Sequence, residues 1–139
     1  MSVDITNKEL CDISIKAQEN AYAPYSGFRV GAALLCEDGT VYTGCNVENA
    51  SYGATLCAER CAISKAVSDG RRDFVKIAIT GSDGNFTMPC GICRQVLAEF
   101  MSEGLVITTN KSEIKTYKVK ELIPECFSLG DKNDTKKGE

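Results

Sequence analysis

Residues 28–36, Phe28-Arg29-Val30-Gly31-Ala32-Ala33-Leu34-Leu35-Cys36, decide what kind of fold the chain can form. A short apolar run of this kind reads as a buried strand. Asp38-Gly39 follows and turns the chain back through Val41 to Cys45, which makes a hairpin. Working outward, residues 74–80 (FVKIAIT), 105–109 and 114–119 read as three more strands. Thr6-Asn7-Lys8-Glu9 fits a capping box, and Leu10, Ile13, Ala17 and Ala21 then recur at helical spacing until Pro24 stops the run. A second helix is expected from about Cys57 to Val67, with Gly70 just past its end, and a third after Pro89, ending before Gly104. Strands alternating with helices point to an α/β chain: a single-domain, three-layer α/β/α sandwich with helices on both faces of a mixed five-stranded sheet. The domain is expected over 1–129. The stretch GDKNDTKKGE, 130–139, has no apolar content and reads as a flexible C-terminal tail.

A chain of 139 residues, 43% apolar and 25% charged, has the size of one compact domain with its own core. A net charge of -3 leaves no basic surplus to meet a phosphate backbone, so a nucleic-acid partner is not expected and a small molecule or protein is. The opening MSVDITNKEL has an early aspartate and no apolar h-region, unlike a secretory signal. No run approaches the ~18 apolar residues of a membrane span. The expected location is the cytoplasm, and the eight cysteines fit a reducing compartment where thiols stay free or bind metal. Taken singly, Cys11, Cys36, Cys45 and Cys126 read as small buried apolar residues.

The remaining cysteines are clustered. Pro89-Cys90-Gly91-Ile92-Cys93-Arg94 places two thiols about one turn apart at the head of the third helix, which is ligand spacing. A helix N-terminus favours thiolate over thiol, because its free N–H groups stabilise negative charge. Thr55-Leu56-Cys57-Ala58-Glu59-Arg60-Cys61 opens the second helix, so Cys57 sits near another helix head and Cys61 one turn further along the same face. On spacing alone two readings stand. Four thiolates would close a structural zinc site, whereas three would leave a position open. A redox dithiol is a weaker alternative, because C-x-x-C here follows a third strand. The chain has no histidine, so general acid–base chemistry must come from another side chain or from metal-bound water. Glu59 is placed to point at the same region. A structural zinc has no use for a free carboxylate, but a catalytic zinc uses one to move protons from its bound water.

C-A-E followed by P-C-x-x-C resembles the signature of zinc-dependent nucleobase and nucleoside deaminases. Residues 28–35 (FRVGAALL), 46–53 (NVENASYG) and 89–100 (PCGICRQVLAEF) more closely resemble the cytidine deaminases, in their small, homotetrameric, three-cysteine form. The likeness covers about residues 22–127. It implies one Zn²⁺ per chain on Cys57, Cys90 and Cys93, with water in the fourth position and Cys61 a packed free thiol. It implies that Arg60 offsets the net negative charge of the three thiolates; Arg94 is the weaker candidate for that task.

The implied reaction is hydrolytic deamination of cytidine or deoxycytidine to the uridine product and ammonia, a step of pyrimidine salvage. Glu59 would carry a proton from water to ring N3, and a second to the departing amino group. Asn46 and Glu48, with Val47 between them, would hold the ribose 3′-hydroxyl. The Ala58 backbone would meet the amide edge of the base, and Phe28 would pack against its ring. Ala50 and Tyr52 would reach the site of a neighbouring subunit, and Phe127 would cover the base from another. Each pocket would then be shared within a homotetramer. The rivals are a related nucleoside deaminase with other sugar recognition, and a non-enzymatic module built on a four-cysteine zinc.

Overall fold

The computed structural model describes residues 5–130, in the order α1 (Asn7–Ala17), β1 (Val30–Cys36), β2 (Val41–Cys45), α2 (Ala58–Ser68), β3 (Phe74–Gly81), α3 (Gly91–Met101), β4 (Leu105–Thr109), β5 (Ile114–Lys118) and a short α4 (Val119–Leu122). The capping box forms: Glu9 N–H donates to Thr6 Oγ1 at 3.1 Å, and Thr6 N–H donates to Glu9 Oε1 at 2.9 Å. Boundaries differ from expectation where a side chain or a tighter turn claims the backbone. Beyond Ala17 the first helix tightens into a 3₁₀ turn over Gln18–Asn20. β1 starts two residues late, because Phe28 N–H donates to Ser26 Oγ and Arg29 N–H to Ser82 Oγ, each at 3.0 Å. β5 stops at Lys118, and Val119 turns its N–H onto Gly104 O at 3.0 Å to open α4. Residues 131–139 of the expected tail lie outside the described residues.

The sheet order is β2-β1-β3-β4-β5, with β3 and β4 parallel and every other pair antiparallel. Every residue of β1 is buried because both faces of the sheet are covered, which explains an unbroken apolar run instead of an alternating one. Ala32, Leu34, Ile77, Ile79 and Val106 pack with Ala62, Ile63 and Leu97 of α2 and α3. Their alternating neighbours Ala33, Leu35, Ala78 and Ile107 pack with Leu10 and Cys11 of α1 on the other face. Each fully buried Leu or Ile of this kind contributes roughly 1.5–3 kcal/mol.

Two glycines set how closely the helices lie. A Cβ on Gly31 would fall 2.0 Å from Ser14 O and 2.6 Å from Gln18 N, in the backbone of the first helical segment. A Cβ on Gly44 would fall 2.3 Å from Ala58 O and 2.5 Å from Ala62 N, in the backbone of α2. At the far end of β2, Arg71 ties the hairpin to the close of α2. It donates to Tyr42 Oη and Thr40 Oγ1, both at 3.2 Å, and pairs with Asp38.

Topology then brings two helix heads together. The end of β2 lies beside the start of β1, with Gly31 opposite Cys45, and the start of β1 lies beside the end of β3, with Val30 opposite Gly81. The segments that leave β2 and β3 therefore depart from one end of the sheet. They lead to the N-termini of α2 and α3.

Candidate metal centre and the adjoining pocket

Cys57 and Cys90 hold equivalent places as the N-cap residues of α2 and α3, both with extended backbone. Neither thiol caps its own helix, and the two sulfurs lie 3.8 Å apart. Cys93, fully buried in the first turn of α3, adds a third, and the three Sγ atoms all lie within 4.8 Å of one another. A tetrahedral zinc with Zn–S near 2.3 Å holds its sulfurs roughly 3.8 Å apart. Three soft donors at that spacing, on two helix heads, fit zinc. Among the described residues the group comprises these three side chains, and Cys61 is not in it. The half-buried Cys61 instead lies near Cys45, whose thiol is held above its ordinary range first by burial and then by that neighbour.

Charge at the cluster is shared unequally. The neighbouring Cys93 thiol pushes Cys57 down to about 5, against the cost of burial and with help from Arg60 and Cys90. Cys93 moves the other way, raised by the neighbouring Cys57 and by its burial. Between these two, Cys57 is the sulfur that carries negative charge more readily. Arg60 faces it: Nη2 donates to Cys57 Sγ at 3.4 Å and to Thr55 O at 3.2 Å. Its Nε is buried with no hydrogen-bond partner. An unpaired guanidinium N–H is costly to bury, and it suits a cluster carrying more negative charge than one thiolate.

Glu59, in the first turn of α2, is 4% exposed. Burial pushes its carboxyl up to about 7; the Cys57 charge adds to the rise, and Arg60 and the Cys93 thiol oppose it. A carboxyl poised near neutrality can both take and give a proton. Ala58, fully buried beside it, is pinned by the close approach of Gly44. Arg94 is not at the sulfurs. Its Nε donates to Pro89 O at 2.8 Å and its Nη1 to Leu122 O at 2.9 Å, so it latches the head of α3 to α4.

Phe28, Asn46, Val47 and Glu48 gather around the exit of β2. Val47 is bridged through its backbone to Tyr22 and Leu56, an extended geometry that puts Asn46 and Glu48 on the same side. The buried Asn46 accepts from Val30 N–H at 2.9 Å and donates to Phe28 O at 2.8 Å. Glu48 Oε1 accepts from the N–H groups of Tyr25 (3.0 Å) and Ser26 (3.1 Å), while Oε2 takes the Ser26 hydroxyl. These bonds, led by that hydroxyl, hold its carboxyl below the usual range. Asn46 keeps one N–H, and Glu48 Oε2 keeps a lone pair. A cavity of about 300 Å³ lies here, lined by Tyr25, Ser26, Glu48, Asn49, Tyr52 and Thr55. Thr55 joins it to the sulfurs through Arg60. The half-buried ring of Phe28 packs against Gly81, where a Cβ would fall 2.6 Å from it.

Ala50 and Tyr52 are exposed, Tyr52 at 79%, with its ring edge-on to Tyr25. Phe127, 68% exposed, lies in a separate groove of about 840 Å³ between α3 and residues 123–130. Ser26, Tyr25 and Thr55 were not singled out from sequence. For Tyr25 and Ser26 the local sign is a Pro-Tyr-Ser-Gly turn before the first strand, and such a turn does not announce a partner more than twenty residues away.

A family model described as the cytidine and deoxycytidylate deaminase zinc-binding region matches residues 5–109. The cytidine deaminase of Sporosarcina psychrophila is 51% identical over 120 residues, 85% of this chain and 88% of that protein. The crystal structure of cytidine deaminase from Burkholderia pseudomallei superposes with a TM-score of 0.85 at 42% identity, covering 88% of this chain and all of that one. That of the Mycobacterium tuberculosis cytidine deaminase gives a TM-score of 0.81, also at 42% identity, over 91% of this chain.

Proposed function

The chain belongs to the cytidine and deoxycytidylate deaminase zinc-binding family, and from that premise we propose that it hydrolyses cytidine and deoxycytidine to uridine and deoxyuridine with release of ammonia. The observation that carries the reading is a group of three thiols at two helix heads, with a buried carboxyl beside it. Cys57, Cys90 and Cys93 would hold one zinc ion, which supplies a Lewis acid that activates water for attack on C4 of the base. Three protein ligands leave one position for that water. Arg60 offsets the negative charge of the thiolates from behind Cys57.

Glu59 carries the protons. It accepts one from water, delivers it to ring N3 so that C4 becomes electrophilic, and passes the next to the amino group that leaves as ammonia. Its burial suits this shuttle, because the neutral form is not penalised near neutral pH. The spare N–H of Asn46 and the spare lone pair of Glu48 together match a sugar hydroxyl, which both accepts and donates. A nucleoside meets that demand, whereas free cytosine leaves both groups unpaired. Phe28 forms the wall for the ring, and the first-turn backbone at Ala58 faces the amide edge.

The protein acts as a homotetramer in this reading, with Ala50, Tyr52 and Phe127 reaching into neighbouring pockets. Exposed Tyr52, Ile92, Phe127 and Leu129 supply apolar area for such contacts. No helix among the described residues is long and apolar enough to cross a membrane, and all eight cysteines are free, which suits a reducing cytoplasm. The direct test follows the absorbance loss of cytidine together with zinc per chain. Glu59→Gln keeps its zinc and loses at least ~10²–10⁴-fold in rate. Cys61→Ser keeps both zinc and activity. Loss of both in Cys61→Ser would make Cys61 a ligand and favour the four-cysteine structural module.

A further inference from the structure

We infer that Ser26 is a positioning residue that aims the Glu48 carboxylate at the sugar, an inference that rests on the nucleoside reading above. The Ser26 hydroxyl has one proton and can accept in return. Its oxygen takes the N–H of Phe28 at 3.0 Å, and its proton goes to Glu48 Oε2, since an ionised carboxylate only accepts. The Phe28 N–H therefore locks the hydroxyl rotor toward the carboxylate. Gly27 lets the chain turn between these partners: its φ is +71°, and its N–H closes the turn onto Ala23 O at 2.9 Å.

The other carboxylate oxygen is held independently by the Tyr25 and Ser26 N–H groups, and Glu48's own N–H is bonded to Tyr22 O at 2.8 Å. With Oε1 saturated by two donors and one site of Oε2 filled by Ser26, a single direction remains for a ligand hydroxyl. Phe28 is gripped from its other end by Asn46, which bonds its carbonyl. The polar groups that face the sugar are thus fastened to one short turn, and Ser26 is its side-chain link. Removing the hydroxyl leaves Glu48 hinged on Oε1 alone, with the direction of Oε2 no longer fixed, so the loss falls on the substrate feature that Glu48 reads.

The test measures kcat and KM for cytidine and 3′-deoxycytidine with wild type, Ser26→Ala and Ser26→Thr, alongside zinc per chain and melting temperature. A hydrogen bond to a charged group is worth about ten-fold or more, so Ser26→Ala is expected to raise KM for cytidine about ten-fold, with most of the loss in KM. For 3′-deoxycytidine the rise stays under about three-fold, because the hydroxyl in question is absent. Ser26→Thr, which keeps the hydroxyl, restores the cytidine value. Equal losses on both substrates, a loss confined to kcat, a fall in zinc content, or failure of threonine to rescue each overturn the assignment. A wild type that leaves cytidine unchanged defeats the nucleoside reading itself, and this inference with it.

Discussion

Replacing Gly44 by alanine puts a methyl group where β2 rests on α2. The new Cβ would sit 2.3 Å from Ala58 O and 2.5 Å from Ala62 N, both backbone atoms that cannot swing aside. Ordinary contact begins near 3.5 Å, so α2 must retreat by about 1 Å at its first turn. That turn carries Cys57 at the cap, Glu59 beside the sulfurs and Arg60 behind them. Overpacking of this kind typically costs about 1–3 kcal/mol. For a domain of this size the melting temperature falls by about 3–10 °C. A displacement of about 1 Å at a catalytic group can cost 10²-fold in rate, so kcat should drop by that order even at temperatures where the variant is folded. Gly31→Ala is the control, because its Cβ would strike Ser14 O and Gln18 N on the opposite face of the sheet. It should lose comparable stability while keeping its zinc and most of its kcat. The assay is thermal melting, metal content and cytidine turnover on both variants side by side. If Gly44→Ala melts like wild type at full activity, or both variants lose turnover equally, the claim that β2 sets the position of the α2 head is wrong.

Arg60→Ala removes the cation that bonds Cys57 Sγ; zinc affinity, measured by competition with a chromogenic chelator, should fall about 10–100-fold. Asp38 concerns acid stability. The Thr40 hydrogen bonds, backbone first, and then Arg71 hold its carboxyl down to about 2. A carboxyl depressed in the folded state contributes stability above its unfolded value near ~3.9, and that contribution disappears as pH falls through about 2. Melting temperature in Asp38→Asn should therefore lie below wild type at neutral pH, with the gap closing between those two pH values; a constant gap would refute the linkage.

Local signals in the chain were enough for most of the architecture. The capping box at Thr6, the buried run before Asp38-Gly39 and the cysteines heading two helices each depend on a few consecutive residues, and each formed where expected. Motif spacing left a three-thiol and a four-thiol set open; the family resemblance singled out Cys57, Cys90 and Cys93, and these are the three that the fold groups. The boundaries moved where a distant side chain took a backbone group, as Ser26 and Ser82 do before β1.

What the chain could not express locally is where its polar groups find partners. Nothing near Arg94 says that it serves Pro89 O and Leu122 O instead of the sulfurs. The spacing of Glu59 predicts its direction, but only the closed sheet–helix core removes its water and lifts its carboxyl to about 7. Ser26 becomes the anchor of Glu48 only once the turn after α1 lies beside the exit of β2. Periodicity and caps are short-range and so are written in neighbouring residues; desolvation and long-range hydrogen bonds arise when separate segments meet, and those were settled by the tertiary structure alone.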